Sequence, residues 1–224
     1  MARPSDPNAR IDLLSAAEQL FVKRGLDDTK VEDITERAGR SKGSFYLHFQ
    51  NKEEAFKHVV EGQLARLRVF LDRVAERDRE PPVSLEALFD TWLAANIEIF
   101  DFVWQNRGVM RLVLYGGRSA TFTYLMDEFA VGVRRQIFDA LTIGVDRGIY
   151  RTGLDLEITS LVMAGAYDRI ARQLVDAETK PDLAKILRAV DHVLLGGIGS
   201  DSVRAYLTSK SVTKKPTPKT KASR

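Results

Sequence analysis

The feature that most constrains this chain is an apolar repeat of three to four residues, carried along most of its length and cut by glycine and proline at uneven intervals. Ile11, Leu14, Ala17 and Phe21 mark one face of a first helix, which Gly25 closes. The run Thr29-Lys30-Val31-Glu32 fits a capping box, and Val31, Ile34 and Ala38 continue from it as a short second helix stopped by Gly39. Ser41 is placed to cap a third helix, with Phe45 and Phe49 at i and i+4 on its inner face. A much longer stripe follows, Phe56, Val60, Leu64, Leu67, Leu71 and Val74, ended by Glu80-Pro81-Pro82. Ser84 is placed to cap the next helix, whose stripe is Leu85, Leu88, Trp92, Asn96, Ile99 and Val103.

Further helices are predicted at 108–115, 119–147, 155–177 and 181–195, with Pro181 suited to the first turn of the last. Gly197-Ile198-Gly199 reads as a helix end, with Ser200 capping a final short helix. No segment alternates with period two. The chain is therefore expected to be all-α: a three-helix unit at 1–51, a larger helical body at 52–207, and a tail at 208–224.

Composition narrows the chemistry. With no cysteine among 224 residues, neither a disulfide framework nor a thiolate metal site is available. His48, His58 and His192 lie far apart in sequence, so a zinc site is not expected. The start of the chain lacks the apolar segment of a signal peptide, and no run of 18 apolar residues occurs, so a cytoplasmic protein with no membrane partner is expected. Phosphate-loop, nucleophile-elbow and His-Glu-x-x-His patterns are all missing, so the expectation is not an enzyme and no cofactor.

The net charge of +3 is misleading until it is located. Residues 210–224 hold six basic residues and no acidic one, so without them the chain carries −3. This Lys-, Pro- and Thr-rich tail has almost no large apolar group and is expected to be disordered. Locally, residues 37–52 contain Arg37, Arg40, Lys42 and Lys52 and no acid. A helix, a tight turn at Gly39-Arg40-Ser41 and a second helix, buttressed by a preceding one, form a helix-turn-helix, whose second helix enters the DNA major groove.

The run through Arg10, Ala16-Ala17, Leu20-Phe21, Gly25, Thr29, Val31, Asp33-Ile34, Ala38-Gly39, Ser41-Lys42-Gly43-Ser44-Phe45-Tyr46, Phe49 and Lys52-Glu53 closely resembles the DNA-binding domain of TetR-family transcriptional regulators. The resemblance covers about residues 9–56, a quarter of the chain. It implies a dimer that binds a palindromic double-stranded DNA operator, usually as a repressor, and releases it when a small-molecule effector occupies the body. It also implies that Thr29 caps the helix before the turn and can itself reach a phosphate, that Lys42, Ser44, Tyr46 and His48 face DNA, and that Lys52 touches the backbone. Gly43, lacking a Cβ, lets the helix approach the groove closely. Arg40 departs from the small apolar residue common in this turn; it adds a phosphate contact or points to solvent.

The body offers two further sites. Aromatic density between Phe89 and Phe138, together with Asn96 interrupting an apolar stripe, suggests a pocket for an apolar or aromatic effector, with Trp92, Asn96, Phe100, Tyr115, Phe122, Met126, Phe129 and Tyr167 as lining candidates. The apolar face Leu183, Ile186, Leu187, Val190, Val193 and Leu194, with small residues around Ala164 on the preceding helix, suggests a four-helix dimer interface or internal core. Two other classes remain: a helical ligand-binding or protein-interaction module, and a non-specific nucleoid-type DNA binder that uses its basic tail.

Overall fold

In the computed structural model, which describes residues 7–77, 84–115 and 120–212, each predicted stripe becomes a helix. Three short helices come first: α1 (Pro7–Arg24), α2 (Val31–Arg37) and α3 (Lys42–His48). The long α4 (Lys52–Arg77) leads into the body, made of α5 (Leu85–Gln105), α6 (Arg107–Tyr115), α7 (Ala120–Asp146), α8 (Leu156–Asp176) and α9 (Leu183–Ile198). A last helix, α10 (Asp201–Val212), packs on α9. Among the described residues there is no strand, only an isolated bridge between Tyr150 and Gly199. No helix among them is long and apolar enough to cross a membrane.

Local chemistry sets the helix ends. The Ser41, Ser84, Asp155 and Asp182 side chains each accept the backbone N–H three residues on, as N-caps should. Gly39, at φ +62°, makes the left-handed turn between α2 and α3 that other residues rarely adopt. Pro181 precedes the Asp182 cap rather than lying in the first turn of α9, and Gly199 is the C-cap of that helix. Phe49 is not in α3: it is the extended C-cap residue, with its ring still in the core. Helix α10 reaches Val212, so the first residues assigned to the disordered tail are helical; residues 213–224 lie outside the described residues.

One buried cluster runs from Leu13 and Phe21 of α1 through Ile34, Phe45 and Phe56 to Val113, Leu174 and Leu187. The predicted stripe of α4 is the inner one, with Phe56, Val60, Leu64, Leu67 and Val74 all buried. On α1 the inner face is instead Leu13, Ala17, Leu20 and Phe21; Ile11 is 65% exposed, because α4 and α6 cover the opposite side. A smaller cluster, Leu141, Tyr150, Leu195 and Val203 with Phe89, Trp92 and Leu207 against it, lies where α10 covers the start of α5.

Two close approaches join the layers. A Cβ on Gly144 would fall 2.2 Å from the Tyr150 ring, so only glycine lets that ring lie against α7. A Cβ on Gly108 would fall 2.7 Å from a methyl of Val22, which marks where α6 meets α1.

Candidate nucleic-acid interface and interior site

Helix α3 is held from beneath and bare outside. Phe45 is fully buried and stacks at a tilt on Phe49, with ring centroids 5.3 Å apart. On the outer side Tyr46 is 58% and Leu47 75% exposed, Lys42 and Gly43 are exposed, and Ser44 and His48 are half-buried. The Ser41 hydroxyl accepts the Ser44 N–H at 3.1 Å, so Ser41 serves the helix as a cap. Nothing within 4 Å of a Cβ built on Gly43 stands in its way except Ser41 Oγ at 3.7 Å, so that glycine answers to no contact inside the protein.

The cations expected to form a positive stripe are all engaged. Arg40 donates to the Asp12 carboxylate at 2.5 Å, tying the turn to α1, so it neither points to solvent nor is unengaged and ready for phosphate. Arg37 donates to Gln19. Lys42 pairs with Glu32 at 2.5 Å across open surface, and each holds the other in its charged form: the hydrogen bond lowers the Glu32 pKa and raises that of Lys42. Both side chains are more than half exposed, so water screens the pair.

Two residues expected at the DNA backbone face inward. The Thr29 hydroxyl is buried and donates to the Gly25 carbonyl at 2.7 Å; the cap position of α2 belongs to Lys30, whose N–H donates to Asp33. Lys52 Nζ donates to the carbonyls of Leu26, Asp27 and Thr29 at 2.8, 2.9 and 3.0 Å. It clamps the α1–α2 connection onto the start of α4. These carbonyls belong to the connection between α1 and α2, and a cation suits them as a charge-assisted donor.

In the body, the eight expected pocket residues fall into two groups. Trp92, Asn96 and Phe100 form one stripe of α5 at successive i+4 steps; Trp92 stacks on Tyr150 with centroids 5.8 Å apart, and Phe100 meets Tyr167 of α8 at 6.0 Å. Asn96, between them, donates to the Trp92 carbonyl of its own helix at 3.0 Å. The rest lie elsewhere. The Tyr115 hydroxyl donates to Asp176 at 2.6 Å at the α6–α8 junction, Phe122 packs edge-on against Phe56, and Met126 and Phe129 pack on the main core. Phe129 lines a cleft between α4 and α7 of about 60 Å³, room for a water or two and not for an effector.

Two polar residues of this interior are missing from the expected pocket: Tyr150, buried in the turn after α7, and Asp191 of α9. Burial pushes both the Tyr150 and Tyr167 phenols well above their ordinary range, with the Asp191 charge adding to each. Burial likewise raises the Asp191 carboxyl to about 6. The sequence does carry a signal for Asp191, which interrupts the inner face Leu183, Leu187, Leu195 as Asn96 interrupts that of α5.

The expected dimer face divides as well. Leu183 and Leu187 are core residues of the protomer, buried where α9 packs on α5. Ala164, Ile186, Val190 and Leu194 are half-buried, and Val193 is 73% exposed. On α8, Ile158, Leu161, Val162 and Gly165 form an exposed apolar stripe at helical spacing.

A buttressed helix-turn-helix with an exposed second helix, continued through a long helix into a helical body, defines a DNA-binding regulator. Residues 13–59 match the bacterial regulatory proteins of the tetR family. The chain is 31% identical to the HTH-type transcriptional repressor KstR2 of Rhodococcus jostii over 149 residues, 66% of this chain and 71% of that protein. Its fold matches SmeT of Stenotrophomonas maltophilia solved with triclosan (23% identity, 87% of this chain and 93% of that one, TM-score 0.69). It also matches FadR of Bacillus subtilis solved with stearoyl-CoA (20% identity, 84% and 98%, TM-score 0.67). The chain belongs to the TetR family of transcriptional regulators.

Proposed function

We propose that this protein is a repressor that binds a palindromic operator as a homodimer and leaves it when a small molecule occupies the body. The observation that carries the DNA assignment is the outer side of α3, where Lys42, Gly43, Ser44, Tyr46 and His48 stand together over a fully buried Phe45. Tyr46 offers a hydroxyl to phosphate and a ring edge to a thymine methyl, and Lys42 reaches a guanine edge or a phosphate once it leaves Glu32. Thr29, Arg40 and Lys52 act behind this surface, holding α1 and α2 in place. In a dimer the two α3 helices have to stand about 34 Å apart to meet successive major-groove faces.

The dimer forms through α8 and α9. The exposed residues Ile158, Leu161, Val162 and Gly165 of α8, with Val193, Gly196 and Gly197 of α9, make a self-complementary apolar surface when two copies meet about a two-fold axis. The three-helix unit at 1–51 and the body from 52 onward are separate in role, although their core is continuous. The effector reading is supported by the triclosan and stearoyl-CoA complexes of the two structural relatives and by the aromatic interior of α5 and α8.

Footprinting on the DNA upstream of the protein's own gene tests the reading. A discrete palindrome should be protected by full-length protein and by a form lacking residues 210–224, and lost with Tyr46→Ala while sedimentation still shows a dimer. Smeared protection that disappears with the tail would point instead to a nucleoid-type binder. Val193→Glu should give a monomer that no longer footprints.

A further inference from the structure

We propose that the effector site of this protein takes an organic cation, an aryl or alkyl ammonium, whose nitrogen lodges at Asp191 and whose apolar body lies along the Trp92–Phe100 stripe of α5. This deepens the reading above and rests on it for its regulatory meaning. Four elements bring the site together. Trp92, Asn96 and Phe100 come from α5, Tyr150 from the turn after α7, Tyr167 from α8 and Asp191 from α9.

The polarity of this interior is unfinished. Tyr150 is 5% exposed, yet its hydroxyl has no hydrogen-bond partner among the described residues. The Tyr167 hydroxyl and the Asp191 carboxylate also have none there. Burial raises the pKa of Asp191, and among the described residues no arginine, lysine or histidine forms an ion pair with it. Three other half-buried carboxylates are matched by a cation: Asp12 by Arg40, Asp33 by Arg24, Asp101 by Lys180. A carboxylate left without a cation inside an aromatic cluster is costly for a fold and useful for a ligand.

The surroundings select the ligand's charge. Asp191 repels carboxylates, phosphates and sulfates. Trp92 stacks on Tyr150 and Phe100 meets Tyr167, and such an aromatic surrounding favours a cation over a neutral group. Tyrosine hydroxyls and the Asn96 carbonyl supply acceptors for ammonium hydrogens. Eight residues of helix separate Trp92 from Phe100, about 12 Å, so an apolar body of that length is covered from end to end.

Three probes with one body isolate the charge: 3-phenylpropylammonium, 3-phenylpropanol and 3-phenylpropanoate, each titrated into full-length protein by calorimetry at pH 8, where Asp191 is ionised. The ammonium should bind about tenfold or more tighter than the alcohol, and the propanoate more weakly than the alcohol. In Asp191→Asn the ammonium advantage should vanish while the alcohol binds as before. The wild-type order stands by itself if the variant does not fold. Equal binding of the three, preference for the propanoate, no binding of any near about 1 mM, or an ammonium preference that survives Asp191→Asn overturns the proposal. An operator footprint taken without any probe reads the DNA-binding assignment separately, so a failure of one is not mistaken for a failure of the other.

Discussion

Asp191→Asn should make the protein more stable, and only at neutral and alkaline pH. The Asp191 carboxyl has an ordinary pKa of 3.8 and is raised to about 6 in the folded chain, with burial as the cause. Below 3.8 the group is protonated in both states and contributes nothing. As pH rises the unfolded chain releases its proton first, the folded chain holds more protons, and stability falls; above about 6 the loss is complete. At 1.36 kcal/mol for each pH unit, the gap between 3.8 and about 6 amounts to roughly 3 kcal/mol. Because Asp191 is half-buried and partly screened by water, about 1–2 kcal/mol is the expected size. Asparagine keeps the shape and cannot ionise. Urea denaturation of both proteins at one fixed concentration should give equal midpoints near pH 4 and a gap that opens to that value by pH 8. A gap independent of pH, or a wild type that is the more stable at pH 8, would refute the account of Asp191 as an unpaired interior charge.

Gly43→Ala should stabilise the unbound protein by about 0.5–1 kcal/mol, because the new methyl meets nothing closer than 3.7 Å, and should weaken operator binding; thermal melts and gel shifts read the two effects. Lys52→Met should destabilise the fold by about 2 kcal/mol through three lost hydrogen bonds and leave the salt slope of operator binding unchanged. Lys42→Met should do the reverse, sparing stability and lowering that slope by about 2 for the dimer, one phosphate per subunit. Gly108→Ala should cost about 1–2 kcal/mol, since its Cβ would stand 2.7 Å from a Val22 methyl, and Val22→Ala in the same chain should restore most of it.

Long, one-sided patterns are legible in the sequence alone. The stripe of α4 spans five buried positions with charged residues on the other faces, so only one orientation satisfies it. Helix α1 misleads because Ile11, Leu13, Leu14, Ala16, Ala17, Leu20, Phe21 and Val22 cover more than half its circumference. Which part is inner depends on α4 and α6, and no local signal carries that. Leu183 and Leu187 mislead for the same reason: α9 is apolar toward α5 and again toward solvent, where Val193 stands. Lysines are hardest. Nothing near Lys52 in sequence reveals that its ammonium reaches carbonyls 23 to 26 residues back. Residues on the outer side of α3 are easier, because that helix has seven residues and burying Phe45 fixes what the other sides can do.

That buried cluster also bears on how occupancy of the body reaches α3. A ligand shifts DNA affinity only by the difference in its own affinity for two states, so the states have to differ where it sits. Phe100 of the α5 stripe belongs to the same continuous core as Val109 and Met110 of α6, Phe56 of α4 and Phe45 of α3. A close-packed core of this kind does not absorb the movement of a ring locally; neighbours move with it or the movement is refused. Helix α6 stands at the crossing. It meets α1 through Gly108 and Val22, α4 through Met110 and the fully buried Gln63, and α8 through Tyr115 and Asp176. Gln63 has only the Met110 sulfur, at 3.6 Å, for its amide N–H, and its carbonyl oxygen has no partner among the described residues. A poorly satisfied amide at the α4–α6 contact makes this packing less favourable than a fully matched one, and so leaves a second arrangement of α6 within reach of a ligand's binding energy.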